Sequence, residues 1–591
     1  MESAPILLQT RPIDLETYHL FDLGATDIDA DGALDVYTVN HSARQSFLPG
    51  DGAGSFGANA LVSWGLNQSA MFPGLEDAAD GPAFTRPGLY IFWRSSRLVF
   101  HAHQLAAGGP IDGEAAFFTP VQVQHDPGFQ VDQQRMAVTA ESEGVRLRFS
   151  AAGDGEMIVT PQPFPRVGAP ISLTLGAGVP LEQVSIGALA VSPPERTFTL
   201  MLQDRHGLVW NDFDEDGRRD LFIAGGAVRG LSGALKMATR PYELFYHQDD
   251  GFRRVATPPL GFEKGACPAR QTGLVDFDGD GLLDVYVVCI RDAPNQLYRR
   301  LPSGGFANVA REAGLDIPEG GFFAWLDAEN DGDMDMLWAG ESGLRLYANQ
   351  RGAFTAHPLP GPAVRAQKIA LGDFDGDGDG DAFIASPQGN ALYRNDDGDF
   401  AYVEPEALGL PAKALTANWL DFDNDGLLDL HTLPRGLYLQ GKDHRFRRAQ
   451  MQDDGLAADA DAKAARAIWF DADNDGFRDV IATTAQQDKR WRANYGRNPG
   501  NRNHWLEVIL HGPPGNRPAI GARVSIAAGG AQTASVGWAE GSHYGMGQYR
   551  LYFGLGPEPR VDSLTVAWPD GSQTRLADVA ADQVLELSWR K

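Results

Sequence analysis

The sequence predicts an all-β chain: a seven-bladed β-propeller, interrupted early by a β-rich insertion and followed by a C-terminal β-sandwich. Three observations lead there. A nine-residue pattern, acidic at positions 1, 3, 5 and 9 with glycine at 6, occurs seven times, beginning at Asp27, Asp212, Asp276, Asp327, Asp373, Asp421 and Asp471. After a first gap of 185 residues the copies recur at 64, 51, 46, 48 and 50 residues, the chain length of one four-stranded unit. Short β-branched and aromatic runs flank the copies, and long helical periods are few.

The pattern is that of a calcium-binding loop. Ca²⁺ takes roughly 6–8 oxygen ligands at about 2.3–2.6 Å, which alternate carboxylates on a tight turn supply together with a backbone carbonyl and water. Glycine at position 6 permits the turn. In an EF-hand the last ligand is Glu at position 12 and helices flank the loop. Here the last acid is at position 9 and a strand such as Val285-Tyr286-Val287-Val288 follows, so each loop joins two strands. The expected ligands are Asp27, Asp29, Asp31 and Asp35; Asp212, Asp214, Asp216 and Asp220; Asp276, Asp278, Asp280 and Asp284; Asp327, Glu329, Asp331 and Asp335; Asp373, Asp375, Asp377 and Asp381; Asp421, Asp423, Asp425 and Asp429; and Asp471, Asp473, Asp475 and Asp479. Up to seven Ca²⁺ follow. Glu329 carries one methylene more, which pushes its carboxylate outward. Because the ion relieves the repulsion of four gathered carboxylates, its expected role is structural.

In chain order, residues 1–60 hold the first loop, with Tyr18-His19-Leu20-Phe21 before it and Val36-Tyr37-Thr38-Val39 after it. A propeller closes by pairing strands from its two ends, so this blade is expected beside the seventh. Residues 61–203 form the β-rich insertion. Runs such as Leu98–His103, Val145–Phe149, Ile171–Leu175 and Thr197–Leu202, punctuated by Gly and Pro, predict an antiparallel sandwich. One degenerate blade with long loops is the alternative. Blades two to seven occupy 204–495, with a short helix over Ala457–Ala467 and a linker at Trp491–Asn503. The last domain, 496–591, alternates through Trp505–Leu510, Val524–Ile526, Leu551–Phe553, Leu564–Trp568 and Val584–Leu587.

The repeats resemble the FG-GAP/VCBS calcium-loop repeats of integrin α-subunit propellers and of many secreted bacterial proteins. The segment from Asn503 onward resembles the ASPIC/UnbV domain in Asn503-His504-Trp505-Leu506, Ala519-Ile520-Gly521-Ala522-Arg523-Val524, Phe553-Gly554-Leu555-Gly556 and Trp568-Pro569-Asp570-Gly571. The pairing is the layout of the CRTAC-like (cartilage acidic protein-like) family. That resemblance implies extracellular interaction and supplies no reaction. Gly541–Gln548 departs from the family wording, where a Ser-Gln pair is common.

A chain of 591 residues is too long for one core. Its net charge of −28 equals in size the number of loop carboxylates, so the acidity is mostly a metal-site signature. Such a field repels phosphates and argues against nucleic acid. Arg far outnumbers Lys, in keeping with a GC-rich bacterial genome. No stretch reaches the ~18 apolar residues of a membrane span. Met-Glu-Ser-Ala-Pro lacks the features of a signal peptide, so a signal has been removed or the protein stays inside; weak calcium loops fill only where calcium is abundant, which favours an extracellular or periplasmic location. Pairing about the third loop puts Cys289 opposite a residue near 271. Cys267 is then offset along the ladder, and two buried thiols are expected.

Other candidates read more simply. Trp210, Trp325, Trp419 and Trp469 stand two residues before their loops, on equivalent faces, and are expected to pack between blades rather than to line a ligand platform. His101 and His103 share a strand face without an evident third ligand. His543 and Tyr544 lie in a Gly-rich loop. Gly52–Gly57 has the letters of a dinucleotide fingerprint but no following helix, and reads as a turn. No Gly-x-Ser-x-Gly, His-Glu-x-x-His or P-loop is present. The expected function is a secreted or periplasmic calcium-binding protein that recognises or adheres to a protein or glycan. The alternative is an enzyme acting on a carbohydrate or other small molecule at the propeller axis or the insertion interface.

Overall fold

In a computed structural model the chain is almost wholly antiparallel sheet. The structure describes residues 8–66 apart from 16, 18–19, 41–44 and 62; strands within 75–197 with the turn at 120–130; and residues 205–226, 242–255, 262, 267–289, 293–451, 464–485, 491–538 and 549–590.

Each acidic loop joins the first two strands of its own sheet. In the third sheet, for example, the loop runs from Ala269–Val275 into Asp284–Cys289, and Gln296–Arg300 and Phe306–Asn308 follow in order. The second, fourth, fifth and sixth sheets repeat this four-stranded order, and the first has three strands. The seventh is completed from the other end of the chain: Gln9–Pro12 pairs antiparallel with Trp491–Arg497, Gln9 facing Arg497. This is the expected closure. It also corrects the linker, because Trp491–Arg497 is a strand whose Trp491, Ala493 and Tyr495 point into the core. Arg492 and Asn494 are the outward-facing alternates.

Neighbouring sheets pack face to face on apolar side chains, and the same residue classes recur at each contact. Trp210 packs with Tyr37 and Phe47 of the first sheet, Trp325 with Phe277 and Tyr286 of the third, Trp419 with Phe374 and Phe383 of the fifth, and Trp469 with Phe422 of the sixth. All four indoles are buried, as inter-sheet packing requires. Phe222 with Leu274, Leu337 with Ala382, and Leu23 with Ile468 make the remaining contacts, the last joining the seventh sheet to the first.

Leu61, Leu66 and Trp64 pack with Phe252 of the second sheet. Arg205 holds the two points where the chain leaves and returns. Its guanidinium pairs with Glu243 at 2.6 Å and donates to Gln45 Oε1 and to the carbonyl of Leu66, both at 3.0 Å, all in a buried setting. Between those points lie two antiparallel sheets of five and four strands and two short hairpins. The strand at 98–102 carries His101, but its side chain and His103 lie outside the described residues, as does the 457–463 part of the expected helix. Residues 465–467 are strand, because Ala465 and Ala467 enter the core between the sixth and seventh sheets.

The cysteines correct another expectation. Cys267 and Cys289 form a disulfide, with Cα atoms 5.5 Å apart. A bulge between Ala269 and Thr272 slides the ladder so that Cys289 faces Ala269, one residue from Arg270, the partner that unbroken pairing gives. Closing a loop of this size is worth about 3 kcal/mol in the chain-entropy view.

The C-terminal domain is two small sheets, of three and four strands, with one parallel pairing between His504–His511 and Gln583–Ser588. Among the described residues no helix is long and apolar enough to cross a membrane.

Candidate metal centres and the face that covers them

The seven loops share one hydrogen-bonding plan. At position 1 a carboxylate oxygen accepts the N–H of the position-6 glycine, at 2.8–3.2 Å, in all seven, as in Asp27 with Gly32 and Asp471 with Gly476. The acid at position 5 accepts the N–H two residues on, closing the turn. The acid at position 9 is a staple. One oxygen accepts the position-2 N–H, and the other accepts an N–H at the far end of the third strand: Phe374 and Asn395 hold Asp381 at 3.0 and 2.8 Å. In the seventh loop the Tyr495 hydroxyl replaces the loop N–H on Asp479. The third-strand residue then reaches the preceding sheet. Asn349, Asn395, Gln440 and Asn498 each donate their side-chain amide to the position-2 carbonyl of the loop before, at 2.6–3.0 Å. One residue thus fixes two loops.

This plan gathers charge without neutralising it. Oxygens of Asp27, Asp29 and Asp31, of Asp276, Asp278 and Asp280, and of Asp421, Asp423 and Asp425 lie within 4.8 Å of one another; in the second and fifth loops Asp220 and Asp381 join positions 1 and 3. Burial pushes the position-9 carboxyls up, Asp35, Asp220, Asp335 and Asp479 to about 8 and Asp284 and Asp381 to about 9. Burial first, then neighbouring carboxylates, also raise Asp276 and Asp327 to about 6, Asp373 to about 7 and Asp421 to about 8. One buried oxygen each of Asp27, Asp212, Asp278, Asp375 and Asp473 has no hydrogen-bond partner. Hard oxygen donors, unpartnered and turned toward one another, fit a divalent cation. In the fourth loop Glu329 and Asp335 bring their carboxyls into hydrogen-bond contact.

Arginines stand beside some of these sites, a feature the spacing of the acids does not reveal. Arg299 contacts Asp278 at 2.6 Å and Asp280 at 3.1 Å, Arg497 contacts Asp473 and, at 2.7 Å, Asp475, and Arg394 lies 3.9 Å from Asp375. Each precedes the residue that staples position 9, so all three are equivalent. The other loops have Pro49, Tyr246, Ala348 and Leu439 there.

The C-terminal domain lies over these loops and touches every one of them. Arg550 donates to the Gly32 carbonyl of the first, and Arg517 lies 3.7 Å from Asp212 of the second. Leu283 N–H of the third donates to the Gly515 carbonyl at 3.1 Å. Arg523 bridges Asn330 of the fourth and the Gly378 carbonyl of the fifth. Gly556 N–H donates to Asn424 of the sixth at 2.7 Å, and Arg550 to Asn474 of the seventh at 3.0 Å. A Cβ on Gly554 would collide with the Asp421 carboxylate. A cavity of about 150 Å³ remains between this domain and the fifth to seventh sheets, with Trp419, Trp469, Trp538, Gln440 and His444 on its wall. The three indole N–H groups, Gln440 Oε1 and His444 Nδ1 are buried there without partners.

Gly52–Gly57 is a turn, with Gly52 and Gly54 at positive φ and Asp51 accepting the N–H groups of Ala53 and Ser55. His543, Tyr544 and the rest of 541–548 lie outside the described residues.

Comparison with known proteins agrees with both resemblances. The model of the FG-GAP-like repeat matches residues 276–338, 327–384 and 373–432, and that of ASPIC and UnbV matches 512–591. The chain therefore carries FG-GAP-like repeats and a C-terminal ASPIC/UnbV domain. No curated protein matches it. Solved structures with some likeness include the Photorhabdus luminescens Tc holotoxin pore (10% identity, 84% of this chain and 30% of that one, TM-score 0.29). Others are the V. cholerae biofilm matrix protein (11%, 55% and 61%, 0.26) and a Bacillus licheniformis rhamnogalacturonan lyase (13%, 98% and 92%, 0.31). The chain thus spans less than two thirds of the first two. No functional conclusion follows from likenesses of this size.

Proposed function

From a chain that carries FG-GAP-like repeats and an ASPIC/UnbV domain, we propose a secreted or periplasmic calcium-binding protein that recognises a protein or glycan. Its frame is a seven-bladed β-propeller, each sheet a blade and each acidic loop a calcium site, with calcium structural. The observation that carries this is the shared loop plan: seven turns hold their position-1 and position-5 acids by the same N–H donors, and in five of them a buried carboxylate oxygen stays unpartnered. The disulfide supports an oxidising compartment. The cavity beneath the C-terminal domain supports ligand recognition, since aromatic walls with unpartnered donors suit a small polar ligand.

Calorimetric titration of EDTA-treated, dialysed protein with CaCl₂, checked by metal analysis, tests the reading. Uptake of several ions per chain with a raised unfolding temperature is expected. Background uptake and an unchanged unfolding temperature would refute it.

A further inference from the structure

The C-terminal domain buries one acid that its own fold does not explain. Glu507 lies on the first strand of that domain, His504–His511, and is 1% exposed. Its Oε2 accepts from Arg550 Nη1 at 3.0 Å, but its Oε1 has no hydrogen-bond partner. Arg550 also donates to Asn474 and Gly32 in the seventh and first loops, and Arg478, whose guanidinium lies over the Tyr552 ring, is the second positive charge near Glu507. The carboxyl of Glu507 instead meets that of Asp471, position 1 of the seventh loop. Two buried carboxyls in contact demand something positive between them, a cation or a shared proton.

The approach is built on both sides. The seventh-loop glycine, Gly476, lies against the ring of Trp505, where a Cβ would collide, and Tyr552 accepts the N–H of Asp471 at 3.4 Å. Trp505 and Gly554 face each other across one ladder, so the residues that permit close approach to the seventh and sixth loops are register partners. The strand carrying Glu507 is thereby pressed onto the loop.

We propose that Glu507 is a ligand of the seventh-loop cation, supplied across the domain boundary, so that filling this loop fastens the C-terminal domain to the face it covers. This rests on the calcium reading above. The six other loops draw their acids from one sheet; the seventh is completed by the domain that caps it. Cation binding and docking are then linked, each strengthening the other.

The test is hydrogen exchange of the full chain, read at 504–511 and 549–556, with CaCl₂ or EDTA, together with calcium titrations of wild type, Glu507→Gln and Asp278→Asn. Expected are slower exchange of both strands in calcium, and a single site weakened about tenfold or more in Glu507→Gln with faster exchange there. Asp278→Asn should lose affinity at the third loop and keep the exchange pattern. Wild-type exchange at both strands that is identical with and without calcium, while calcium still binds, overturns the proposal whether or not the variant folds, and assigns a shared proton to the contact. A Glu507→Gln variant that titrates and exchanges like wild type overturns it too. Absence of any calcium uptake defeats the underlying reading instead.

Discussion

At the scale of single residues, the four acids of a loop do different work. Asp381 has each carboxylate oxygen on an N–H, one in the loop and one at the third strand. Asp375 has an oxygen with no partner. Asp381→Ala strands two buried donors, each costing about 1–3 kcal/mol, and should lower the urea midpoint in EDTA as well as in calcium. Asp375→Ala should lower it in calcium alone. An Asp381→Ala variant whose midpoint in EDTA matches wild type would contradict this division. The raised position-9 carboxyls also fix a pH dependence. In the metal-free fold burial keeps Asp284 and Asp381 protonated up to about 9, and Asp35, Asp220, Asp335 and Asp479 up to about 8. The unfolded chain releases these protons near pH 4, so above that the folded state binds more protons than the unfolded. Stability in EDTA should therefore fall as pH rises from about 4 to about 9, with the fall reduced in calcium. Unfolding temperatures between pH 5 and 8.5 decide it, and a rising trend in EDTA would count against the assignment.

At the scale of the repeated element, the loops divide into two kinds. The third, fifth and seventh have a third-strand arginine on or near the position-3 acid, and the first, second, fourth and sixth do not. A guanidinium that already serves the carboxylate competes with an incoming cation. Arg299→Gln, Arg394→Gln and Arg497→Gln should each tighten calcium binding at one site, by a few-fold since these side chains are about one third to one half exposed and screened. Unchanged or weakened affinity in all three would remove the competition argument. The amides of Asn349, Asn395, Gln440 and Asn498 link the fourth to seventh loops each to its predecessor, so the effect of one ion is expected to reach the next sheet through a single side chain.

At the scale of the whole molecule, two devices hold parts that are far apart in sequence. Arg205 ties the departure and return of the insertion to the second sheet through Glu243, Gln45 and Leu66. Removing it takes from buried Glu243 its guanidinium partner at 2.6 Å, and Arg205→Ala should cost about 3–5 kcal/mol of unfolding free energy. A loss below 1 kcal/mol in denaturant titration would show that the network contributes little. The second device is the C-terminal domain, which reaches all seven loops. Its Phe553-Gly554-Leu555-Gly556 run lies on the sixth loop and Arg523 on the fourth and fifth.

Local sequence pattern revealed the seven loops, the strands beside them and the pairing of the N-terminal segment with the seventh sheet. It did so because a turn's ligands and glycine are set by spacing within nine residues, and a strand's burial by alternation. The inter-sheet packing of the four tryptophans was legible for the same reason. The folded structure was needed for the disulfide, because a one-place bulge outside the motif resets the register between Cys267 and Cys289. It alone showed the strand at Trp491–Arg497, whose polar alternates imitate a linker, and the arginines of the third strands. Glu507 was beyond reach in principle: it lies 36 residues after the acid it meets and belongs to another domain, and no local period connects them. What pairs them is the docking of two surfaces, a property of the folded molecule and not of either segment.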